Sequence, residues 1–189
     1  MSGREAIMSL LATVCISLPA YSESGTRTVQ ELIELFSRPA PEDGEPQPYQ
    51  SAAQLIDYAG MSEQLLAKSQ WEHFTPAQQR EITASIQSLL EQRYYERWHK
   101  LYGRGKVSYL GEKTANDNVY VSTILVLGKE KESIIWELRP RGGKLMVTDI
   151  NADGKDMLAR LKLRVQRHLS KDGYDGLISW LKRKSRTQS

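Results

Sequence analysis

Hydrophobic positions in residues 75–103 recur at helical spacing. The apolar side chains follow one another at intervals of three and four, which places them on one face of an α-helix about 40 Å long. Thr75 and Gln78 have the spacing of a capping box, Pro76 fits the first helical position, and Gly103 ends the pattern. The predicted stripe consists of Ile82, Ile86, Leu89, Leu90, Tyr94 and Trp98.

Two shorter helical patterns precede this one. Thr28 and Glu31 resemble a capping box and open an apolar stripe that stops before Pro39. Residues 51–68 carry a second stripe, with a bend expected at Gly60. The first half of the chain is therefore predicted to be mainly helical.

The period changes from helical to strand-like after residue 105. Four segments of strand length are rich in β-branched and aromatic residues and are separated by turns that contain Gly, Asn, Asp or Lys. Short connections favour antiparallel neighbours, so a four-stranded meander is predicted. The second segment is apolar on both faces, which predicts a central strand covered on both sides for part of its length. The four segments are residues 106–118, 119–131, 132–143 and 144–150.

The stretch DINADGKDMLAR, residues 149–160, begins like a calcium-binding EF-hand loop but does not complete one. The twelfth loop position needs a bidentate Glu and is Arg160 here, and the seventh is Lys155. The pattern instead predicts a strand, a turn and a helix that begins at Lys155 or Asp156. An apolar stripe continues this helix until Gly173, after which a final short helix is expected.

The N-terminal residues have the layout of a secretory signal peptide. Arg4 precedes an apolar run from Ala6 to Leu18, which is too short to span a bilayer, and small residues follow up to Ser22. We predict a signal peptide at residues 1–22 and export to the periplasm. Cleavage would remove Cys15, the only cysteine, so the mature chain would have no disulfide and no thiol nucleophile.

The rest of the chain has the length and composition of one globular domain. Of 189 residues, 40% are hydrophobic and 26% are charged, which is typical of globular proteins. We predict a single domain over residues 23–189, with an extended proline-rich connection at 39–48. The net charge of +3 is spread along the chain, so a nucleic-acid partner is not expected.

Few side chains have the spacing of a catalytic or metal site. His73, His99 and His168 lie on separate predicted helices, and neither a nucleophile elbow nor a phosphate-binding loop occurs. Asp149 and Asp153 form a candidate carboxylate pair, but strand termination and helix capping explain them better. No catalytic residue, metal or cofactor is predicted.

The second half of the chain resembles a known family. Trp136 to Leu138, Asp149-Ile150, Gly154 at the start of a helix and GYDGLI at 173–178 are similar to the C-terminal half of the MlaC family. Upstream, the helical segment that begins at Thr75 and the sequence DYAGM at 57–61 also resemble this family. The resemblance covers residues 28–184. It departs in the last strand, where the family carries Trp and Tyr and this chain has Leu145 and Thr148.

The resemblance implies a fold and a function. Members of the family are periplasmic phospholipid-binding auxiliary proteins of ABC transport systems. The expected fold is α+β, with a curved four-stranded antiparallel sheet and helices around an apolar cavity. The implied partners of the monomer are phospholipid, an inner-membrane ABC transporter complex and an outer-membrane lipoprotein complex. A hopanoid-associated carrier from the same family is an alternative, as is a hydrolase or isomerase on a similar sheet.

The resemblance also leads to a set of candidate lipid contacts. An apolar pouch would keep lipid tails out of water, and each exposed methylene costs about 0.8 kcal/mol. Lys162 and Arg164 are interpreted as part of a solvated helix face rather than as headgroup contacts. The predicted lining consists of Leu90, Tyr94, Trp98, Tyr120, Ile124, Trp136, Leu138 and Val147.

Overall fold

Four long antiparallel strands form the sheet in chain order, as the turn pattern predicts. A computed structural model describes residues 24–38 and 48–186. The meander is confirmed, and a two-residue fifth strand extends it at the β4 edge. Asn116 and Asp117 join the first two strands with φ values of 50° and 63°, as a type I′ turn requires. The strands are β1 (Lys106–Ala115), β2 (Asn118–Leu127), β3 (Glu130–Arg141), β4 (Lys144–Ala152) and β5 (Lys155–Asp156).

Two register shifts interrupt the sheet. One lies between Tyr109 and Gly111 in β1, and the other lies between Glu137 and Leu138 in β3. An extra residue in one strand of a pair bends that strand and increases the local twist. The shifts therefore give the sheet curvature.

The first predicted helix lies close to its expected position, whereas the second is broken at Ile56 and Asp57 rather than bent at Gly60, which lies inside the helix that begins at Tyr58. Helix α1 (Gly25–Ser37) starts earlier than predicted, because Ser24 Oγ accepts from the Arg27 amide at 3.2 Å. The predicted capping box at Thr28 was wrong, since Thr28 is inside the helix and its hydroxyl donates to the Leu145 carbonyl. Three short helices follow, namely α2 (Pro48–Ala52), α3 (Tyr58–Leu66) and α4 (Lys68–His73).

The predicted long helix after Thr75 has a wider turn in its middle. The capping box is confirmed: the Gln78 amide donates to Thr75 Oγ1, and the Thr75 amide donates to Gln78 Oε1. Helix α5 (Pro76–Leu90) then passes through a π-helical segment (Glu91–Tyr95) into α6 (Glu96–Tyr102). A π-helical turn inserts a residue into the helix, so α6 is rotated relative to a continuous α-helix.

The segment after β4 is the predicted strand, turn and helix, with a later helix start. Residues Lys155–Asp156 add the short β5, and helix α7 (Met157–Arg186) begins at Met157. Asp156 Oδ1 accepts from the Ala159 amide at 2.6 Å, which caps the helix. Gly173 interrupts α7 with φ 67° and ψ −165°, as the sequence predicted.

The main core lies between one face of the sheet and the helices. Val121, Trp136 and Ile150 are neighbours across three strands and are all buried. Positions of β2 on the other face are half-buried, so this strand is fully covered on one face and partly covered on the other. In the described ranges, no helix combines the length and apolarity that crossing a bilayer needs. The predicted signal peptide (1–22) lies outside those ranges, as does the connection at 39–48 apart from Pro48, where α2 begins.

Candidate functional site

A cleft opens between two helical walls at one end of the sheet. The π-helical segment and α6 form one wall, the first turns of α7 form the other, and the ends of β3 and β4 form the floor. We call this space the helical cleft. Its larger part has a volume of about 310 Å³, and an adjoining part of about 90 Å³ continues between α5 and α7. The larger part is lined by Arg93, Tyr94, Arg97, Trp98, Leu101, Tyr102, Glu132, Ile134, Ile150, Ala152, Lys155, Asp156, Met157 and Arg160.

The walls of the helical cleft combine aromatic and aliphatic side chains with charged ones. Tyr94 and Trp98 stack with ring centroids 5.5 Å apart, and both side chains are half-buried. Leu101 continues the same helical face, and Met157 contributes from the opposite wall. Spacings of four and three residues place Tyr94, Trp98 and Leu101 side by side on the helix. The cleft thus presents a strip of apolar side chains, open to solvent and bordered by charged residues.

The helical face next to these residues is buried in an aromatic cluster. Tyr95 Oη lies 2.6 Å from Tyr58 Oη, and the Tyr95 ring meets the Phe36 ring edge-on at 5.0 Å. Tyr102 lies next to Trp136, with ring centroids 6.2 Å apart. Burial raises the pKa of Tyr58 and Tyr95 well above the ordinary value, so both hydroxyls remain protonated. This cluster fixes the position of the wall that carries Tyr94 and Trp98.

Three of the predicted lining residues lie at the helical cleft. Tyr94 and Trp98 line its larger part, and Leu90 and Tyr94 line the smaller part. Trp136, Leu138 and Val147 lie on the helix side of the sheet but are completely buried in the core. Trp136 Nε1 donates to Thr123 Oγ1 at 3.0 Å, which holds the indole in place.

Tyr120 and Ile124 lie on the other face of the sheet. Along β2 the residues Val119, Val121, Thr123 and Leu125 are buried, and the residues between them are half-exposed. The Tyr120 hydroxyl accepts from Asn118 Nδ2, and Lys113 lies over the Tyr120 ring. The eight predicted residues therefore do not form one surface. A continuously apolar strand cannot indicate which of its faces meets the helices.

Prediction from the sequence did not identify Leu101, Met157 or the arginines of the cleft. Leu101 follows Trp98 by three residues, which is a helical spacing, so its position was open to prediction. Arg93 and Arg160 lie on elements that are remote in sequence and line the same cleft only when α7 folds back onto α5. Local sequence pattern carries no signal for that contact.

Two larger clefts lie on the other face of the sheet. The smaller of the two is mainly polar, and the larger also exposes apolar side chains such as Ala115 and Ile135. Their volumes are about 610 and 650 Å³, and both are lined by Tyr120, Glu137, Asp149 and Asp156. Burial and the neighbouring Asp156 carboxyl raise the pKa of Asp149 to about 8. Asp149 Oδ1 accepts from the amides of Ile150 and Leu158, so this carboxyl joins the end of β4 to the start of α7.

The other candidate chemical groups have structural partners. Asp153 Oδ1 accepts from the Ser133 amide at 2.9 Å, which stabilises the turn rather than pairing Asp153 with Asp149. Each of the three histidines forms a hydrogen bond within or between helices. His73 pairs with the Ser69 carbonyl, His99 with the Phe36 carbonyl and His168 with the Asp172 carboxylate. Over residues 24–38 and 48–186, no three His, Cys, Asp or Glu side chains are arranged to hold a metal ion.

Comparison with known proteins identifies the family and the fold. Residues 27–183 match the family model described as MlaC protein. The fold is similar to that of a phospholipid-binding protein from Ralstonia solanacearum, whose structure was solved in complex with a phospholipid. The TM-score is 0.70 at 19% sequence identity, over 85% of this chain and 94% of the other. No protein of curated function matches the chain.

Proposed function

Because this chain belongs to the MlaC family, we propose that it is a phospholipid-binding protein that shields lipid tails in the helical cleft. The observation that carries the proposal is the apolar wall of Tyr94, Trp98 and Leu101 facing Met157 over a curved sheet. The fold of the phospholipid-binding protein from Ralstonia solanacearum supports it. No step of this function requires a catalytic residue.

The physical basis is the transfer of hydrocarbon out of water. Each methylene removed from water contributes about 0.8 kcal/mol, so a tail of a dozen methylenes contributes on the order of 10 kcal/mol. The volume of the larger part, about 310 Å³, is at the low end of the roughly 300–1,000 Å³ range of ligand pockets. The cleft as it stands accommodates part of a lipid.

A longer tail requires the two walls to separate. Trp136, Leu138 and Val147, which the sequence placed in the lining, are completely buried, so a tail reaches them only when helices that cover the sheet move away from it. The break at Gly173 divides α7, which allows its first half to move relative to the second. We therefore propose that loading widens the helical cleft along α7.

The family and the N-terminal sequence support a proposal for where this function takes place in the cell. We propose that residues 1–22 direct the chain to the periplasm, where the mature monomer carries phospholipid as part of an ABC-type transport system. Its partners would be an inner-membrane ABC transporter complex and an outer-membrane lipoprotein complex. A carrier with a removable signal sequence agrees with the apolar run that ends at Leu18.

Native mass spectrometry tests the proposal. The protein is expressed with its own N-terminus in a Gram-negative host, released from the periplasm by osmotic shock and purified without detergent. We expect a mass that lacks residues 1–22 and carries one phospholipid, which is lost when the protein is unfolded and refolded in the absence of lipid. A refolded protein that takes up no lipid from phospholipid vesicles would refute the proposal.

A further inference from the structure

Four arginines surround the helical cleft in two pairs, one pair on each wall. Arg93 and Arg97 lie on the π-helical segment and α6, and Arg160 and Arg164 lie on α7. Residues four apart on a helix are neighbours, with about 5–6 Å between their Cβ atoms. All four arginines are exposed, whereas the aromatic rings between them are half-buried. We call this group the arginine rim.

The arginine rim has no carboxylate partners in the described part of the chain. None of its members takes part in an ion pair there, although Arg139 and Arg141 elsewhere each bind a carboxylate at 3.0 Å. Arg93 lies over the Tyr94 ring, 5.9 Å from its centroid, which holds it at the cleft. A guanidinium without a carboxylate keeps donors that fit two oxygens of a phosphate.

The remaining charges at the cleft do not neutralise the rim. Glu132 and Asp156 are the two acidic residues of the lining, and Lys155 adds another positive charge. Asp156 accepts from the Ala159 amide, so its carboxylate is engaged at the start of α7. The Asp156 carboxylate thus faces the positive end of α7, and the uncompensated positive charge is on the arginines at the opening.

We infer that the arginine rim binds the phosphate of an anionic headgroup, so that the protein prefers anionic phospholipids to zwitterionic ones. This inference rests on the proposed function, since the apolar wall must hold the tails while the rim holds the headgroup. In a zwitterionic headgroup the ammonium offsets the phosphate charge, and the rim would repel it. An anionic headgroup such as phosphatidylglycerol has no such cation and adds only attraction.

The rim also changes the interpretation of the helix face that carries Lys162 and Arg164. Lys162 lies at a polar cleft beside Glu137 and Asp149, on the other side of α7 from the arginine rim. Arg164 lies beside Leu161 in the smaller part of the helical cleft. The two cations therefore face different surroundings, and only Arg164 is placed for a headgroup.

Short-chain lipids provide a direct test, because they dissolve as monomers and involve no membrane surface. The binding of dihexanoyl phosphatidylglycerol and dihexanoyl phosphatidylcholine to the lipid-free mature protein is measured by isothermal titration calorimetry. We expect phosphatidylglycerol to bind roughly tenfold more tightly, as two charge-assisted contacts would give. The ratio should fall when NaCl is raised from low to high concentration.

Paired substitutions assign the preference to the rim. The variant Arg93→Gln/Arg160→Gln should lose roughly tenfold in affinity for phosphatidylglycerol and far less for phosphatidylcholine, so that the ratio approaches one. The control variant Arg80→Gln/Arg167→Gln removes the same charge from exposed positions on α5 and α7 that do not line the cleft. It should keep the wild-type ratio.

The outcomes separate the two proposals. If the wild type binds neither lipid, the proposed function fails and the inference fails with it. If the wild type binds both lipids equally, or if the rim variant keeps the preference, the proposed function stands and only the inference is overturned. Inorganic phosphate alone should not bind measurably, and binding as tight as that of phosphatidylglycerol would mark the rim as a site for the free ion instead.

Discussion

Asp149 illustrates how one buried carboxyl serves two elements. It ends β4, and its Oδ1 accepts from the Leu158 amide at the start of α7, 3.2 Å away. Burial raises the pKa of Asp149 most, the neighbouring Asp156 carboxyl adds to this effect, and the resulting pKa is about 8. A carboxyl whose folded pKa is raised favours folding while it is protonated, and this contribution is lost as the pH rises from the unfolded value near 4 through about 8.

We expect Asp149→Asn to change the dependence of stability on pH. Between pH 5 and pH 8 the wild type should lose on the order of 2 kcal/mol of unfolding free energy, and the variant should not. Each unit of pKa shift corresponds to about 1.4 kcal/mol, and water that reaches the ionised Asp149 carboxylate keeps the total below the full sum. Urea unfolding at several pH values measures this. Asp153→Asn, which removes an exposed carboxyl, is the control, and parallel curves for wild type and Asp149→Asn would contradict the expectation.

The hydroxyl pair of Tyr58 and Tyr95 is a second feature at this scale. The two oxygens are 2.6 Å apart in the core, and each side chain is buried. Removal of either hydroxyl takes one hydrogen-bond partner from the other, which costs about 1–2 kcal/mol. We expect Tyr58→Phe and Tyr95→Phe each to lose that amount.

The double variant Tyr58→Phe/Tyr95→Phe should lose less than the sum of the single losses, because both polar groups are then absent. Denaturant unfolding of the four proteins in this cycle gives the coupling energy. Tyr120→Phe, at a half-exposed hydroxyl, should change stability by no more than about 0.5 kcal/mol. Additive losses would show that the two hydroxyls do not depend on each other.

Among the elements, α7 depends most on a single backbone conformation. Gly173 has φ 67° and ψ −165°, a region that only glycine adopts without strain. A Cβ built there would meet nothing within 4 Å, so a substitution acts through the backbone alone. The break allows the second half of α7 to pack Leu177 and Leu181 in the core while the first half forms a wall of the cleft.

We expect Gly173→Ala to lower the unfolding free energy by about 1–3 kcal/mol. The midpoint in urea should fall while the m-value stays the same, as it does for a change that leaves the exposed surface unaltered. Ser179→Ala, at an exposed position of the same helix, should stay within about 0.5 kcal/mol of the wild type. Equal midpoints for Gly173→Ala and wild type would show that α7 tolerates a continuous helix.

At the scale of the whole molecule, a filled core lies beside an open cleft. Large side chains such as Trp136, Phe36 and Met61 are almost completely buried, and the helical cleft remains between the walls that surround them. Met157 borders both parts of the cleft, so a larger side chain there occupies the space proposed for lipid.

We expect Met157→Trp to lower the amount of phospholipid taken up from vesicles at least about fivefold, because the indole fills the apolar space. Stability should change by less than about 2 kcal/mol, since the site is only half-buried. Uptake is measured by native mass spectrometry together with thermal unfolding. The control Leu163→Trp places the same side chain at a position that is 69% exposed on the same helix, and it should take up lipid like the wild type.

By itself the sequence determined most of the secondary structure. The capping box at Thr75, the turn at Asn116 and Asp117, and the break at Gly173 depend on residues a few positions apart, so local chemistry specifies them. The change from helical spacing to an alternation of two residues likewise predicted the four-stranded meander. The resemblance to the MlaC family was also visible in the sequence, and the match of residues 27–183 to the family model confirms it.

Only the tertiary structure decided which residues meet at the candidate site. Both faces of β2 are apolar, so the packing of the helices, and not alternation, placed Tyr120 and Ile124 away from the cleft. The π-helical segment and the fold of α7 onto α5 brought Arg93 and Arg160 to the same cleft, although they are far apart in sequence. Such contacts depend on burial free energy summed over the whole core, and no local pattern of residues carries that information.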